Sequence, residues 1–345
     1  MTTGEGRLVP EERIALAHGA GGKLGHRLIR QFFLPFLSNP CLDRLDDSAI
    51  LEVGDVRIAF TTDSYVVDPL FFPGGDIGRL AVYGTVNDLC MGGASPLCLS
   101  LSLIIEEGFP LEDLARILSS VGSAAQEAGV QIVTGDTKVV GRGGADKIFV
   151  NTAGIGVIWD RAIQVSSGNA RAGDQVILSG PVGDHGIAVL AQREGIFLGD
   201  EIRSDTAPLN GLVRDMFRAS KQIAVLRDPT RGGLASALNE IALQSGVGMV
   251  VEESLIPIRE PVRGACELLG LDPLYVANEG RLVAVVRREA AGKVWEAMRH
   301  NPLGREAEII GEVVADHPGM VLLKTKVGGK RVLDMLAGEP LPRIC

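Results

Sequence analysis

The stretch Asp46-Asp-Ser-Ala-Ile-Leu-Glu-Val-Gly-Asp-Val-Arg-Ile-Ala-Phe-Thr-Thr-Asp-Ser64 contains two strand-like runs joined by a tight turn. The runs are Ala49–Val53 and Arg57–Thr62, and Gly54-Asp55 between them is a hairpin signal. Carboxylates flank both ends of the pair. The stretch therefore predicts a β-hairpin that presents acidic side chains at its ends.

Strand and helix patterns alternate on both sides of this hairpin. A helix is predicted over 78–91, a strand at Leu97–Ile105, and a helix that begins at Pro110 and is stopped by Gly129. Further strands are predicted at Val130–Thr134, Phe149–Ile158, Gln175–Ser179, 248–252, 282–287 and 308–314, with helices near 206–220 and 233–245. The pattern indicates an α/β (α+β) protein with two domains.

Four segments follow from this pattern and from the composition along the chain. They are a Gly-rich segment over 1–40, an N-terminal domain over 41–165, a C-terminal domain over 166–330 and a mobile tail over 331–345. The tail has two prolines near its end and no helical or strand periodicity, so we expect it to be extended.

Cys345 differs from the other four cysteines because it ends this tail. Cys41, Cys90, Cys98 and Cys266 lie in apolar runs, and buried packing is the ordinary role for such residues. A thiol on a mobile tip is accessible and can carry a substituent between sites. The alternative is an incidental exposed cysteine.

Carboxylates recur where strand-like runs end, beside small residues. The polar groups in these positions are Asp46, Asp47, Asp63, Asn87, Asp88, Asp136 with Thr137 and Lys138, and Asp228. Ligands bind at strand ends in α/β sheets, and several carboxylates without His or Cys partners suit Mg²⁺ with the phosphates of a nucleotide. Spacing alone does not prove that these residues converge.

Three glycine-rich turns leave their roles open. The cluster at 18–25 fails the P-loop pattern, because Ala17 and Leu24 stand where that motif needs Gly and Ser/Thr. It is either a loop that closes over phosphates or a surface turn. Gly180–Gly186 can form an anion site at a helix N-terminus, with His185 as a weaker candidate. Glu279, in the turn before the strand at 282–287, is either a solvated carboxylate or a base.

Composition excludes several classes of protein. The formal net charge is −9, the basic residues form no stripe, and only 4% of residues are aromatic, so we expect no nucleic-acid partner. No apolar run reaches the ~18 residues of a membrane-spanning helix, and the first residues show no secretory pattern. We therefore expect a cytoplasmic protein that does not bind membranes.

Several blocks of the sequence resemble one superfamily of enzymes. The blocks at Asp46, Thr61, Asn87–Pro96 and Asp228–Gly233 are similar to those of aminoimidazole ribonucleotide synthetases, selenophosphate synthetases and thiamine-monophosphate kinases. Within it, Gly135–Val140, Gly183–Gly186, Asn278–Gly280 and the final Pro342-Arg-Ile-Cys345 resemble the HypE family of hydrogenase maturation factors. The resemblance runs from about residue 12 to the end.

The resemblance implies a PurM-like fold and a reaction. The N-terminal domain would be a half-barrel that dimerises, and the C-terminal domain an α/β sandwich with a flexible tail. The carbamoyltransferase HypF would load a carboxamide onto Cys345. With ATP and Mg²⁺, the homodimer would dehydrate it to a thiocyanate, and the cyanide would pass to iron on a HypC–HypD complex, toward the [NiFe]-hydrogenase centre.

The resemblance also implies roles for individual residues. Cys345 would carry the substrate, Glu279 would act as the base, and Lys138 would stabilise developing charge. Metal ligands would be Asp47, Asp63, Asp88 and Asp228, and the nucleotide site would add Asp46, Asn87, Asp136 and Thr137.

Two alternatives remain at this level. One is a selenophosphate synthetase or another small-molecule kinase of the same superfamily, although such a synthetase typically has a reactive Cys or selenocysteine beside its glycine loop and none occurs in His18–Gly25. The other is a carrier without catalytic activity, whose tail only presents a modified thiol.

Overall fold

The computed structural model describes residues 13–197, 201–338, 341 and 343–345. The first twelve residues of the predicted Gly-rich segment, and Pro342 of the final motif, lie outside the described residues. No helix among the described residues is long and apolar enough to cross a membrane.

The N-terminal domain is a five-stranded sheet with helices on one face. Its strands are β1 (Ala49–Val53), β2 (Val56–Tyr65), β5 (Ser95–Glu106), β6 (Gln131–Val140) and β7 (Ile148–Ile158), in the order β1-β2-β7-β5-β6. Two short strands, β3 (Phe71–Phe72) and β4 (Gly75–Asp76), form a separate hairpin, and the helices are α3 (Ile77–Met91) and α4 (Leu111–Ala128). Before the sheet come α1 (Lys23–Leu28), a π-helix (Ile29–Phe33) and α2 (Leu34–Leu37).

Local sequence signals placed most of these elements correctly. The hairpin β1–β2 turns at Gly54, whose φ is +59°, and α4 ends at Gly129 in the left-handed conformation. The predicted strand Val130–Thr134 was too short, because β6 continues to Val140. Residues 135–138 therefore lie inside an edge strand. The prediction ended the strand too early because these residues are mostly polar.

The two faces of this sheet differ. Nearly every residue of α3 is buried between the sheet and α4. The opposite face, which we call the outward face, carries large apolar side chains that are partly exposed, including Phe60 at 42% and Ile104 at 43%. In the described chain the sheet is open, with β1 and β6 at its edges.

The C-terminal domain is a seven-stranded mixed sheet covered by helices, as the α/β prediction requires. Its strands, in the order β14-β13-β10-β12-β8-β11-β9, are β8 (Gln175–Leu178), β9 (Ile223–Arg227), β10 (Gly248–Glu252), β11 (Val283–Val286), β12 (Glu308–Val314), β13 (Val321–Lys324) and β14 (Lys330–Val332). The helices are α5 (Asp184–Glu194), α6 (Asn210–Ala219), α7 (Gly233–Ser245), α8 (Glu260–Leu269) and α9 (Arg288–His300). Because β14 pairs with β13, the start of the segment predicted as a tail belongs to this sheet.

Candidate active site

Two aspartates of the N-terminal domain meet where β2 passes α3. Asp63 lies on the helix-covered face of β2, and Tyr65 donates a hydrogen bond to it at 3.2 Å. Asp88 lies near the end of α3. The Thr61 hydroxyl is 2.9 Å from both the Asp88 carboxylate and the Asp47 backbone oxygen, so it links these two segments.

The C-terminal domain adds a strand end with an ion-pair chain. Arg227 ends β9 and lies 2.6 Å from Glu240 and 3.5 Å from Asp47. His26 of α1 contacts the other oxygen of Glu240 at 2.6 Å. Asp228 follows Arg227 directly, so the chain brings it to the same junction between the domains.

Burial and mutual repulsion both disfavour the ionised form of these aspartates. Burial raises the pKa of Asp88 well above its usual value, and Asp63 and Asp228 raise it further. Burial likewise raises the pKa of Asp47, against the attraction of Arg227, and that of Asp228 to about 6. Carboxylates in this state are stabilised by bound cations, and their oxygen donors suit Mg²⁺.

The cluster fits a cation that also binds a ligand. Among the residues that the structure describes, no three His, Cys, Asp or Glu side chains form a ready metal-binding group. An ion at Asp47, Asp63, Asp88 and Asp228 would therefore need further oxygen atoms, which phosphates or water supply.

Glu279 is held by its backbone and leaves its carboxylate unpaired. Its N–H donates to Asp205 at 3.0 Å, and its carbonyl accepts a bond from Asn87 at 3.2 Å. Gly280 is required beside it, because a Cβ there would collide with the Asp205 carbonyl. The Glu279 side chain is 4% exposed, and its Oε1 has no hydrogen-bond partner. Burial raises its pKa well above the usual value, and Asp228 adds to this.

The tail brings Cys345 to this cluster in the same chain. The Cys345 carbonyl accepts a hydrogen bond from the Val66 N–H at 3.0 Å, just after β2. Burial raises the pKa of its thiol to about 12, while Arg231 acts in the opposite direction. Attraction to Cys345, and then to Asp63 and Glu279, raises the pKa of Arg231 in turn. A cavity of about 200 Å³ lies beside Cys345 and Arg231.

A larger cleft of about 690 Å³ opens next to the cluster. Apolar side chains such as Phe33 and Leu42 form part of its wall, and His18, Gly19 and Gly21 of the glycine cluster lie at its edge. Asp46, Asp47, Arg227, Arg231 and Glu240 also line it. An apolar wall beside charged groups suits a ligand with a ring system and phosphates.

Asp136, Thr137 and Lys138 do not reach this cluster in their own chain. The register pairs Asp63 with Thr152, Thr152 with Leu101 and Leu101 with Gly135, and these residues share the helix-covered face. Asp136 and Lys138, on either side of Thr137 in β6, therefore project from the outward face, where they contact each other at 3.0 Å. Lys138 is 69% exposed there. Since β6 is three strands from β2, about 14 Å separates the two strands.

Two predicted nucleotide-site residues have structural contacts. Asn87 is buried, and its side chain bonds the backbone of Ala207, Leu209 and Glu279, so it fixes the turn that contains Glu279. Asp46 accepts bonds at 2.8 Å from the Ser166 hydroxyl and the Ser167 N–H.

The sequence pattern predicted no role for Arg231 or Arg227. An arginine between a strand end and a helix N-terminus was the available signal.

Comparisons with known proteins agree with this architecture. A model of the N-terminal domain of AIR synthase related proteins matches residues 45–158, and a model of their C-terminal domain matches residues 171–324. The two-domain fold with its acidic cleft thus defines an AIR synthase related protein.

The similarity to individual proteins is closer still. Carbamoyl dehydratase HypE of Azotobacter vinelandii is 53% identical over 332 residues, which cover 96% of this chain and 97% of that protein. The crystal structure of a HypE–HypF complex matches with a TM-score of 0.85 and 49% identity, covering 90% of this chain and 99% of that one. A HypE structure in complex with ATP matches with a TM-score of 0.81 and 49% identity, covering 95% and 98%. The chain belongs to the HypE family of carbamoyl dehydratases, which act in hydrogenase maturation.

Proposed function

We propose that this chain uses ATP to convert a carboxamide on its own Cys345 into a thiocyanate, the source of cyanide for a [NiFe]-hydrogenase iron centre. One observation carries the proposal. The tail pairs with Val66 just after β2, three residues after Asp63, and the buried Oε1 of Glu279 has no hydrogen-bond partner. The relatives named carbamoyl dehydratase, and the relative crystallised with ATP, support it.

The reaction balances when the γ-phosphoryl group of ATP takes up the carboxamide oxygen. The carboxamide oxygen of Cys345–S–C(O)NH₂ attacks the γ-phosphorus, and the bond to ADP breaks. The carbon–oxygen bond then breaks with phosphate as the leaving group, while the nitrogen loses both protons and forms the nitrile. One proton leaves with phosphate and the other is released to solvent. Phosphorylation is needed because an amide oxygen is otherwise a poor leaving group.

In this proposal Glu279 accepts a proton from the carboxamide nitrogen. Its raised pKa makes it a stronger base than a solvated glutamate once it is ionised. Asn87 and Asp205 hold its backbone at both the carbonyl and the N–H, so the turn that carries the carboxylate is fixed. Arg231, which lines the same cavity as Cys345, would stabilise negative charge that develops on the carboxamide oxygen.

The larger cleft provides the nucleotide site. Its apolar wall accommodates a base, and Arg227 and Arg231 provide positive charge near phosphates. Mg²⁺ held by Asp47, Asp63, Asp88 and Asp228 would neutralise the triphosphate when bound.

The second subunit completes the site in this proposal. The apolar outward face and the edge strands β1 and β6 leave surface that an identical subunit covers. A two-fold axis across that face places β6 of one subunit beside the β1–β2 edge of the other. Phe60 and Thr62, on the outward face of β2, already line the larger cleft. Asp136 and Lys138 of each subunit, which project from the outward face, thus serve the cleft of its partner.

Mixing two inactive variants tests the shared site. Lys138→Ala and Glu279→Gln each remove one group from every site of a homodimer. If Lys138 acts across the interface, about half of the mixed dimers are heterodimers with one intact site, and about a quarter of wild-type activity returns. No recovery after verified subunit exchange would place Lys138 in the same site as its own Glu279.

Measurement of ATP turnover separates the enzyme from a carrier. Protein loaded with carboxamide is expected to release one phosphate per chain in a single burst, whereas unloaded protein shows no burst, because the carboxamide oxygen is the phosphoryl acceptor. A passive carrier would give no burst in either state.

The proposed partners follow from the same chemistry. A carbamoyltransferase of the HypF type loads the thiol, as the HypE–HypF complex of a relative suggests. A HypC–HypD complex with iron accepts the cyanide, and the exchange takes place in the cytoplasm.

A further inference from the structure

The docked tail pairs with the segment that follows β2. The Val66 N–H donates to the Cys345 carbonyl at 3.0 Å, and the Asp68 N–H donates to the Arg343 carbonyl at 3.2 Å. The two segments run antiparallel, because the residue numbers rise on one side and fall on the other. This pairing places Cys345 opposite Val66, three residues after Asp63.

His185 donates to the remaining carbonyl of this segment. Its Nε2 is 2.9 Å from the Ile344 oxygen, and its Nδ1 is 2.8 Å from the Ser204 hydroxyl. A carbonyl only accepts, so Nε2 carries the proton and Nδ1 accepts from Ser204. The ring is fully buried and packs edge-on against Phe72 at 5.5 Å between centroids. Together these contacts hold the ring so that its Nε2–H points at the Ile344 carbonyl.

Arg193 lies eight residues after His185 in α5, and it joins the two paired segments. Its Nε donates to the Asp68 carbonyl at 2.7 Å, and its Nη2 donates to the Arg343 carbonyl at 2.7 Å. A single guanidinium thus contacts the backbone on both sides of the pairing. The guanidinium of arginine presents its N–H donors in a rigid planar fork, which suits two carbonyls on opposite sides of it. The ammonium of a lysine, on a flexible stem, would hold the two carbonyls less rigidly.

We propose that His185 and Arg193 are positioning residues that clasp the backbone of residues 343–345 and hold the Cys345 sulfur at Glu279 during dehydration. The inference rests on the proposed function and extends it to how the substrate is presented. Both residues contact backbone carbonyls, so the clasp holds the tail whether or not the thiol carries a carboxamide.

The clasp is joined to the base by the tripeptide Ser204-Asp205-Thr206. Ser204 orients His185, and Asp205 accepts the Glu279 N–H at 3.0 Å. Thr206 fixes the Ser204 hydroxyl through its side chain at 2.5 Å and through its N–H at 3.1 Å. The tail and the base are therefore positioned by neighbouring residues of one segment. A shift of that segment would displace both groups together.

Two readouts test the clasp, using the full-length protein. The first is the alkylation rate of Cys345 in unmodified protein, followed by peptide mass with iodoacetamide as the probe. The second is single-turnover nitrile formation from protein loaded with carboxamide, at saturating ATP. Arg193→Met loses the hydrogen bonds to the Asp68 and Arg343 carbonyls but keeps an apolar stem. It is expected to speed alkylation and to slow nitrile formation, each by about tenfold, with ATP affinity unchanged.

Matched variants separate the clasp from general damage. His185→Ala is expected to behave like Arg193→Met, and His185→Gln, which keeps an N–H near the Nε2 position, is expected to restore both rates to within about threefold of wild type. Arg299→Met, which removes an exposed ion pair between α9 and Glu308 of β12 and a contact with the Trp295 ring, serves as the unaffected control. Because Arg193 is half-buried, its variant decides the question if His185→Ala folds poorly.

Two results would overturn the proposal. One is an unchanged alkylation rate of Cys345 in both Arg193→Met and His185→Ala. The other is faster alkylation with unchanged nitrile formation, since the tail would then not need the clasp for chemistry. Absence of nitrile in the wild-type protein would instead refute the proposed function, and the alkylation rates would still decide whether the clasp holds the tail.

Discussion

Replacing Glu279 by Gln is expected to slow nitrile formation by about a thousandfold, a loss typical for removal of a general base. The amide has nearly the same shape but cannot accept the carboxamide proton. The backbone contacts of residue 279 with Asn87 and Asp205 do not involve the side chain, so the fold is preserved. Single-turnover nitrile formation from loaded protein, beside nucleotide affinity, measures the effect.

The matched control for this variant is Glu260→Gln at the exposed start of α8. Its side chain is 86% exposed and contacts only Arg263, so no change in rate is expected. Nucleotide affinity should stay near the wild-type value in both variants. Undiminished nitrile formation by the Glu279→Gln protein would remove Glu279 from the mechanism.

Removal of the Cys345 thiol is expected to abolish both the loading and the dehydration steps. Cys345→Ser keeps the backbone that pairs with Val66, so the tail still docks, but its hydroxyl is a far weaker nucleophile than a thiolate. Cys90 and Cys266 are buried and do not replace it. Mass spectrometry of the intact protein after incubation with the carbamoyl donor system gives the readout.

Deletion of Cys345 is the second form of this test. The shortened chain should bind nucleotide, because the larger cleft does not include Cys345. Carboxamide found on either variant would mean that another group carries the substrate.

Local chemistry made much of the fold predictable. The turn at Gly54-Asp55 and the end of α4 at Gly129 both depend on glycine in the left-handed region, which sequence reveals directly. The extent of β6 was not predictable in the same way. Its polar residues pair with β5 as an edge strand, and an edge strand with one open face lacks a clear alternation of apolar residues.

The site was only partly predictable, for a related reason. Asp63, Asp88 and Asp228 come from segments far apart in the chain, so their convergence depends on packing between domains and not on spacing. Sequence singled out His185 only as a weak candidate for an anion site, whereas the buried ring contacts the Ile344 carbonyl, and nothing pointed to Arg193. His185 and Arg193 contact backbone carbonyls, which every residue of the tail possesses. The face on which Lys138 projects follows from strand register, which the sequence does not state.

The most direct test of the account is the intact mass of the wild-type protein, first with the carbamoyl donor system and then with ATP. The expected result is a gain equal to one carboxamide, located on Cys345, followed by the loss of one water as phosphate appears in equal amount. A carboxamide that persists through ATP hydrolysis, or a loss of water without ATP, would contradict it.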